Sequence, residues 1–273
     1  MLSMLGTGHL WATDAAYMND PNELRYGFDL LAEVASAELP QKDLREVVLA
    51  MIEEAVQDKV ANGRVYVASF CRGGDLLSQW RAYGAFGGGY ALGFPPADLF
   101  GTSSNAREPV RILRPVLYDR DKQVGILKHW MRTSVPRRKW DHDSILFEIL
   151  LLFDRLMTFK HPSYSEEGEW RLIQFGRVVG GPSLWPASFR VRGNQVVPYG
   201  DLDLTRSRGS RRGKLPIIEI VCGPTISRER GLKALRQLCE SLGYRCRSVD
   251  ESRQQHRGQP EVVLSWSRAP FVG

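Results

Sequence analysis

The chain has 273 residues, of which 43% are hydrophobic and 25% charged, and its net charge is +6. No stretch approaches the roughly 18 consecutive apolar residues of a membrane-spanning helix, so we expect a globular protein without membrane contact. The four cysteines have no framework spacing, which favours reduced thiols and a cytoplasmic location.

The first part of the chain is predicted to be mainly helical. Asn19-Asp20-Pro21 is a turn-and-cap signal, because proline is favoured in the first turn of a helix. Two amphipathic helices follow, NELRYGFDLLAEVASAEL and QKDLREVVLAMIEEAVQDKVANG, whose apolar residues recur at three- and four-residue spacing. The pattern predicts an N-terminal helical portion over about residues 20–62.

The next segment alternates short strands and turns. RVYVASF and YALGF are predicted strands, separated by a short helix in DLLSQWRAYG and by three consecutive glycines. Cys71 is interpreted as a structural thiol, because no histidine has a local pattern that ties it to a nucleophile. Trp80, Arg81 and Tyr83 leave two alternatives open. The aromatic residues pack in the core, or they stack on a ligand ring while Arg81 holds a phosphate.

The second half of the chain predicts further strands and helices. The strands are Arg111 to Tyr118, EWRLIQF, both arms of SFRVRGNQVVPY, PIIEIVCG and EVVLSW, and the helices are about 122–133, about 143–159 and SRERGLKALRQLCESLG. TRSRGSRRGK, about residues 205–214, is a predicted mobile basic loop. Because the strands do not alternate regularly with single crossover helices, we expect one α+β domain over residues 1–273, with mostly antiparallel sheets flanked by helices.

An acidic cluster precedes and enters the predicted strand EWRLIQF. Side chains two apart on a strand share a face, so Glu167, Glu169 and Arg171 are expected on one face, with Trp170 opposite and in the core. Two carboxylates beside a buried surface do not ionise independently. One pKa should therefore rise, as a general base requires. The alternative is a solvated turn in which Arg171 neutralises a neighbour. The chain has no HExxH motif and no CxxC pair, so no metal site is predicted.

Five motifs occur in a fixed order along the chain. They are LWATDAAYMNDPNELRYG, VYVASFCRGGDLLSQWRAYG with GGGYALGF, YSEEGEWRLI, IEIVCGP and SRAPF. Together they resemble the bacterial family known as domain of unknown function 2971, over nearly the whole chain. In motif order that family is similar to the ADP-ribosyltransferase superfamily, whose members bind NAD in a cleft between two small sheets. The resemblance therefore implies a split sheet and NAD as cofactor.

The resemblance to ADP-ribosyltransferases also implies catalytic residues. Glu169 matches the catalytic glutamate, Glu167 the preceding acidic residue that orients the acceptor, and Ser69 the serine of the middle strand. A carboxylate against the ribose stabilises the positive charge that develops when the nicotinamide–ribose bond breaks. Relatives usually begin with a further strand that supplies a histidine or arginine. This sequence starts inside the helix that follows it, so we expect either that the chain begins further upstream or that this contact is missing.

The same resemblance implies residues that bind the cofactor. The candidates are Trp80 and Tyr83 for ring stacking, Arg81 and Arg171 for the pyrophosphate, and Asn19 and Asp20, which either contact the ligand or lock a turn.

The leading hypothesis is an NAD-dependent ADP-ribosyltransferase-like enzyme that modifies a protein or nucleic-acid acceptor, as a toxin or phage-defence effector. One alternative is a non-catalytic module that binds a nucleotide-like small molecule, or binds nucleic acid through the basic loop. The basic residues of that loop are Arg206, Arg208, Arg211, Arg212 and Lys214. A second alternative is a nucleotide or nucleic-acid hydrolase that uses the same carboxylates.

Overall fold

A computed structural model describes nine ranges of the chain: residues 1–18, 22–57, 65–99, 111–133, 148–149, 152–175, 187–205, 213–249 and 262–270. The chain divides into two compact units. The first unit consists of Met1–Leu10, Cys71–Gly101 and Leu202–Gly273, and the second of Trp11–Phe70 and Thr102–Asp201. The expectation of a single domain stays a prediction.

The described residues include ten strands and seven α-helices whose two ends are both defined. The strands are β1 (His9–Asp14), β2 (Val65–Cys71), β3 (Tyr90–Gly93), β4 (Arg111–Pro115), β5 (Glu169–Phe175), β6 (Ser188–Arg192), β7 (Gln195–Asp203), β8 (Glu219–Cys222), β9 (Cys246–Ser248) and β10 (Val262–Trp266). The helices are α1 (Leu2–Thr7), α2 (Asn22–Glu38), α3 (Lys42–Val56), α4 (Leu77–Tyr83), α5 (Pro96–Leu99), α6 (Arg120–Thr133) and α7 (Arg228–Ser241).

Six strands form one sheet in the order β4-β5-β2-β1-β7-β6. The pairs β1–β2, β4–β5 and β6–β7 are antiparallel. Gly193 and Asn194 connect β6 to β7 in a tight turn, with Gly193 at a φ of 58°. The predicted α+β class with mostly antiparallel pairing is confirmed, and the hairpin is where the Gly-Asn pair predicts it.

The second sheet, of order β3-β8-β10-β9, is mixed. β3 pairs antiparallel with β8, whereas β10 runs parallel to both β8 and β9. β8 and β9 lie on either side of β10 and run in the same direction, so the chain needs a long connection between them, which α7 provides while it packs against this sheet. The three-residue strand β9 was not predicted, because it is too short to show an alternation of polar and apolar residues.

The core of the second unit lies on one face of the six-stranded sheet. Val67 of β2 and Ile173 of β5 pack there in one cluster with buried side chains of α2, α3 and α6. Residues 148–149 and 152–156 are helical and contribute Ile149 and Phe153 to this cluster, as the apolar content of the predicted helix 143–159 indicates. Residues 143–147, 150 and 151 of that prediction lie outside the described residues.

The run of three glycines serves close backbone packing within the first unit. The Gly223 N–H donates to the Gly89 carbonyl at 2.9 Å, and the Thr225 N–H donates to the Gly87 carbonyl at 3.1 Å. A Cβ at Gly223 would overlap the Gly87 carbonyl oxygen. The glycine run before β3 and Gly223 therefore lack side chains at the place where their two backbone segments pack directly on each other.

Replacement of Gly27 by alanine should destabilise the protein. Gly27 lies on α2 against Leu156, and a Cβ there would overlap the Leu156 carbonyl oxygen, so the helix must shift. We expect a loss of about 1–3 kcal/mol in the free energy of unfolding, measured by urea denaturation. The matched control is Gly125→Ala on α6, where a Cβ meets nothing within 4 Å. The control should gain about 0.5–1 kcal/mol, and equal losses in both variants would contradict the packing described.

Candidate functional site

A buried ion pair on β5 is the centre of the candidate site. Arg171 Nε donates to Glu169 Oε1 at 2.9 Å, and Arg171 Nη2 donates to Glu169 Oε2 at 3.2 Å. The two side chains lie on one face of the strand, as the alternation predicts. Arg171 is 0% exposed and Glu169 is 7% exposed. The contact is thus a bidentate pair held away from water.

Two further donors complete the surroundings of Glu169. Ser69 Oγ on the neighbouring strand β2 donates to Oε1 at 2.7 Å, and Lys160 Nζ donates to Oε2 at 3.0 Å. Lys160 Nζ also donates to Glu167 Oε2 at 2.5 Å, and Arg171 Nη1 donates to the Met157 carbonyl at 2.6 Å. Glu169 therefore accepts four hydrogen bonds, two at each oxygen, which fills its acceptor positions.

The environment keeps Glu169 ionised. Burial by itself raises the pKa of the carboxyl group, but the hydrogen bonds and charge of Arg171, the Ser69 hydroxyl and the Lys160 charge together hold the pKa below its ordinary value. The predicted rise of one pKa in the acidic pair does not fall on Glu169. Lys160 lies between the carboxylates of Glu167 and Glu169, and Arg171 pairs with Glu169, so two cations offset the repulsion that the sequence pattern indicates.

The local geometry around the pair differs from the prediction in two places. Glu167 is not on the strand: it ends a 3₁₀ helix, Pro162–Glu167, and Gly168 follows with a φ of 51° before β5 begins. It reaches the site through Lys160 instead. Trp170 is half-buried rather than in the core. The ion pair occupies the inward face of β5, so Trp170 points to the other face.

A second group of side chains, which the sequence reasoning missed, lies at the β6–β7 hairpin and β1. The Arg190 guanidinium lies 5.6 Å from the Trp11 ring centre and 5.7 Å from that of Tyr199. Its Nη2 donates to Thr13 Oγ1 at 2.7 Å, and the two rings are 5.0 Å apart. Trp11 is 36% exposed. Trp11 and Thr13 belong to the motif LWATD, which the sequence analysis identified. Arg190 is 177 residues from Thr13, so no local pattern links it to that motif.

Arg190 is a partly buried cation for which the described residues provide no carboxylate partner. Within the described part of the chain no carboxylate lies at ion-pair distance from it, and its buried Nε has no hydrogen-bond partner. Burial and the neighbouring charge of Arg192 lower the pKa of the guanidinium. Uncompensated charge of this kind is unusual, because buried charges are normally paired. An anion bound at Nε would supply the missing partner.

Both groups lie on the same face of the six-stranded sheet. Thr13 on β1 is directly opposite Val67 on β2, so their side chains share a face. Alternation places Trp11 with Thr13 and Ser69 with Val67 on that face. Ser69 is exposed although Glu169 behind it is buried. Around Val67 this face is covered by the helical core, and beyond the covered part it presents a hydroxyl, an indole ring and a guanidinium.

The candidates on α4 belong to the first unit. Trp80 is 4% exposed, and its Nε1 donates to Asp75 Oδ1 at 2.7 Å, which agrees with the packing alternative. Arg81 and Tyr83 are exposed on the same helix. Their part in binding a cofactor stays a prediction.

Asp75 connects the C-terminal tail to α4. Its carboxylate accepts hydrogen bonds from the Ser267 hydroxyl and from the Arg268 N–H, besides that from Trp80. Burial raises the pKa of Asp75, but these bonds outweigh the burial and hold the pKa below its ordinary value. Two motifs far apart in sequence, SFCRGGD and SRAPF, therefore meet in one structural contact.

Cys71 has the character of a structural thiol. Its Sγ donates to the Gly73 carbonyl at 2.9 Å, and burial raises its pKa, so the reactive thiolate is disfavoured. Within the described residues, no cluster of three or more His, Cys, Asp or Glu side chains could hold a metal ion. The helices of the described residues include none with the length and apolar character to span a bilayer.

Several predicted features lie outside the described residues. They are the Asn19-Asp20-Pro21 turn and Arg206, Arg208, Arg211 and Arg212 of the basic loop. Lys214 is the one basic residue of the loop that lies within the described residues, and its Nζ donates a hydrogen bond to the Gly243 carbonyl.

Comparison with known families bears on the segment that contains the buried pair. Residues 79–172 match the model of the family described as "Protein of unknown function (DUF2971)". The DUF2971-like segment is about a third of the chain, rather than nearly all of it, and extends from α4 to Leu172 in β5. It includes Glu167, Glu169 and Arg171 but not Ser69. Searches of curated proteins and of solved structures gave no match. The relationship to ADP-ribosyltransferases stays a prediction.

The Glu169–Arg171 pair should control acid stability. Glu169→Gln leaves the buried Arg171 charge without its main partner, so we expect a loss of about 3–5 kcal/mol at pH 7. The folded pKa of Glu169 lies below its unfolded value of about 4.3. Its contribution is therefore complete at neutral pH and is lost as the pH falls below about 4 through the folded pKa.

Urea denaturation between pH 2 and pH 7 measures this contribution. The difference between the parent and Glu169→Gln should shrink toward acid. The control is Glu166→Gln, because Glu166 is exposed and its change should stay within about 0.5 kcal/mol. A difference between parent and Glu169→Gln that does not vary with pH would refute the ionised pair.

Proposed function

We propose that this protein binds a nucleotide-like small molecule on the uncovered part of the sheet face formed by β1, β2 and β6–β7, and that it acts as a binding module. The observation that carries the proposal is the Arg190 guanidinium, which is partly buried against two aromatic rings and lacks a carboxylate partner among the described residues. A phosphate group fits this position, because arginine binds phosphate through paired, charge-assisted hydrogen bonds.

The neighbouring side chains supply the other contacts of such a ligand. Trp11 is exposed, and stacking of a planar base on an indole ring is favourable for any base. Ser69 presents a hydroxyl group whose position is fixed by its hydrogen bond to Glu169. A planar ring, a sugar hydroxyl and a phosphate are the three parts of a nucleotide, and each has a matching group on this face.

The state of Glu169 favours binding without catalysis. A carboxylate that stabilises a cationic ribose must direct its charge at the ligand. In this protein Arg171 and Lys160 neutralise that charge, and all four acceptor positions are occupied. We therefore assign Glu169 the role of positioning Ser69 and holding β5 against β2.

One observation favours ADP-ribosyl transfer as a second candidate function. Ser69 and Glu169, which the ADP-ribosyltransferase resemblance pairs as serine and catalytic glutamate, are in direct contact at 2.7 Å. For catalysis a ribose hydroxyl would have to replace the Ser69 hydroxyl at Oε1, while Arg171 and Lys160 retain their bonds. That exchange changes one hydrogen bond and leaves the buried pair intact.

Arg190 should determine the affinity for a nucleotide. We expect ADP-ribose to bind the parent in calorimetry, and Arg190→Gln to weaken binding at least about tenfold, because a charged hydrogen bond contributes about 1.5–3 kcal/mol. The matched control Arg230→Gln removes an exposed arginine of α7 and should keep the parent affinity. Equal affinities in all three proteins would rule out the Arg190 site.

Nicotinamide release separates the two candidate functions. Under the binding proposal the parent binds NAD but releases no nicotinamide. Release is measured by chromatography in the presence of an excess of a candidate acceptor. Ser69→Ala removes only the exposed hydroxyl and should weaken binding a few-fold. The second candidate function predicts that the parent releases nicotinamide, that Ser69→Ala changes the rate of release, and that Arg190→Gln changes the KM for NAD. These results together would show that ADP-ribosyl transfer is correct and that the non-catalytic role of Glu169 is wrong.

A further inference from the structure

The second unit contains a cavity of about 620 Å³ between β4, α6 and residues 155–159. Its volume falls within the range of about 300–1,000 Å³ that small-molecule sites have. The walls are mainly apolar and include Leu117, Ile126 and Phe159. None of the residues assigned to the nucleotide site lines this cavity, so it is independent of the function proposed above.

Basic side chains from three segments line the same cavity. They are Arg114 of β4, Lys122 and His129 of α6, and Arg155. Arg114 forms an ion pair with Asp154, and Lys122 forms one with Asp119 at 3.3 Å. The exposed guanidinium of Arg155 pairs with no carboxylate within the described ranges. The lining therefore combines an apolar wall with a cationic group that is not neutralised.

Gly125 keeps the wall of the cavity open. It lies inside α6, where glycine is about 1 kcal/mol less favourable than alanine. Gly125 lines the cavity, and a Cβ built on it meets nothing within 4 Å. Packing does not require the glycine, in contrast to Gly27 on α2. Its absent side chain leaves room in front of the helix.

We propose that this cavity binds a small amphiphilic anion, a molecule with one carboxylate or phosphate group on an apolar body. The head group contacts Arg155 at the mouth, and the body lies against Leu117, Ile126 and Phe159. Burial of a short alkyl chain contributes about 0.8 kcal/mol for each methylene group, and the charged hydrogen bonds to Arg155 fix its orientation.

Calorimetry with four probes tests the chemistry of the ligand. Octyl phosphate and octanoate carry the two head groups on the same chain, octanol lacks the charge, and inorganic phosphate lacks the chain. We expect one or both amphiphilic anions to bind the intact protein at least tenfold more tightly than octanol and inorganic phosphate. The anion that binds more tightly identifies the head group that the site prefers. Equal binding of the anions and octanol, or no binding of either anion, overturns the proposal.

Two variants place the ligand in this cavity. Gly125→Leu fills the space in front of α6 and should abolish binding, whereas Gly125→Ala leaves most of it and should bind as the parent does. Arg155→Gln should weaken binding of the anion at least about fivefold and leave octanol unchanged. If Gly125→Leu does not fold, Arg155→Gln decides alone. Parent-like affinity in the folded variants overturns the proposal.

One further variant separates this site from the nucleotide site. Arg190→Gln should keep the parent affinity for the amphiphilic anion, and Arg155→Gln should keep that for ADP-ribose. Failure of ADP-ribose to bind would leave the cavity result intact. Loss of octyl phosphate or octanoate binding in Arg190→Gln would assign the anion to the sheet face instead and overturn the cavity proposal.

Discussion

The Arg171 guanidinium is fully buried, and the second unit is arranged so that its charge is neutralised. Glu169 supplies the countercharge, the Met157 carbonyl accepts a third N–H, and Ser69 and Lys160 complete the carboxylate. These contacts join β5 to β2 and to the segment that follows the helical residues 152–156. A buried ion pair is worth little unless all of its hydrogen bonds are made, and removal of one member leaves an isolated charge. The network therefore imposes a single arrangement on three parts of the chain that are distant in sequence.

This constraint also limits what the carboxylate can do chemically. Satisfied acceptors and a depressed pKa make Glu169 a good structural anion and a poor base. One group on the same sheet face that can accept a ligand contact is Arg190, whose buried Nε has no hydrogen-bond partner among the described residues. Charges that a fold leaves uncompensated are the ones that a ligand can stabilise. For this reason the functional proposal depends on the cation at the hairpin and on the Ser69 hydroxyl rather than on the acidic cluster.

Several motifs that carry the family resemblance make structural contacts in this protein. Asp75 of SFCRGGD binds Ser267 and the backbone of the terminal SRAPF, and Gly223 of IEIVCGP packs on the glycine run before β3. In this chain each side of such a contact needs the other. Motif order therefore reflects contacts of the fold and does not by itself indicate a reaction.

Local sequence determined the elements whose pattern is strong: both amphipathic helices α2 and α3, the strand EWRLIQF, the Gly-Asn hairpin and the pairing of Glu169 with Arg171 on one face. Period and turn chemistry act over a few residues, so these elements can be predicted from a short window. Only the tertiary structure decided that Lys160 lies between Glu167 and Glu169, that Trp170 faces away from the core, and that Arg190 lies against both Trp11 and Tyr199. Each of these depends on which strands become neighbours. Sheet order brings together residues as distant in sequence as Trp11 and Tyr199, and no local pattern records that proximity.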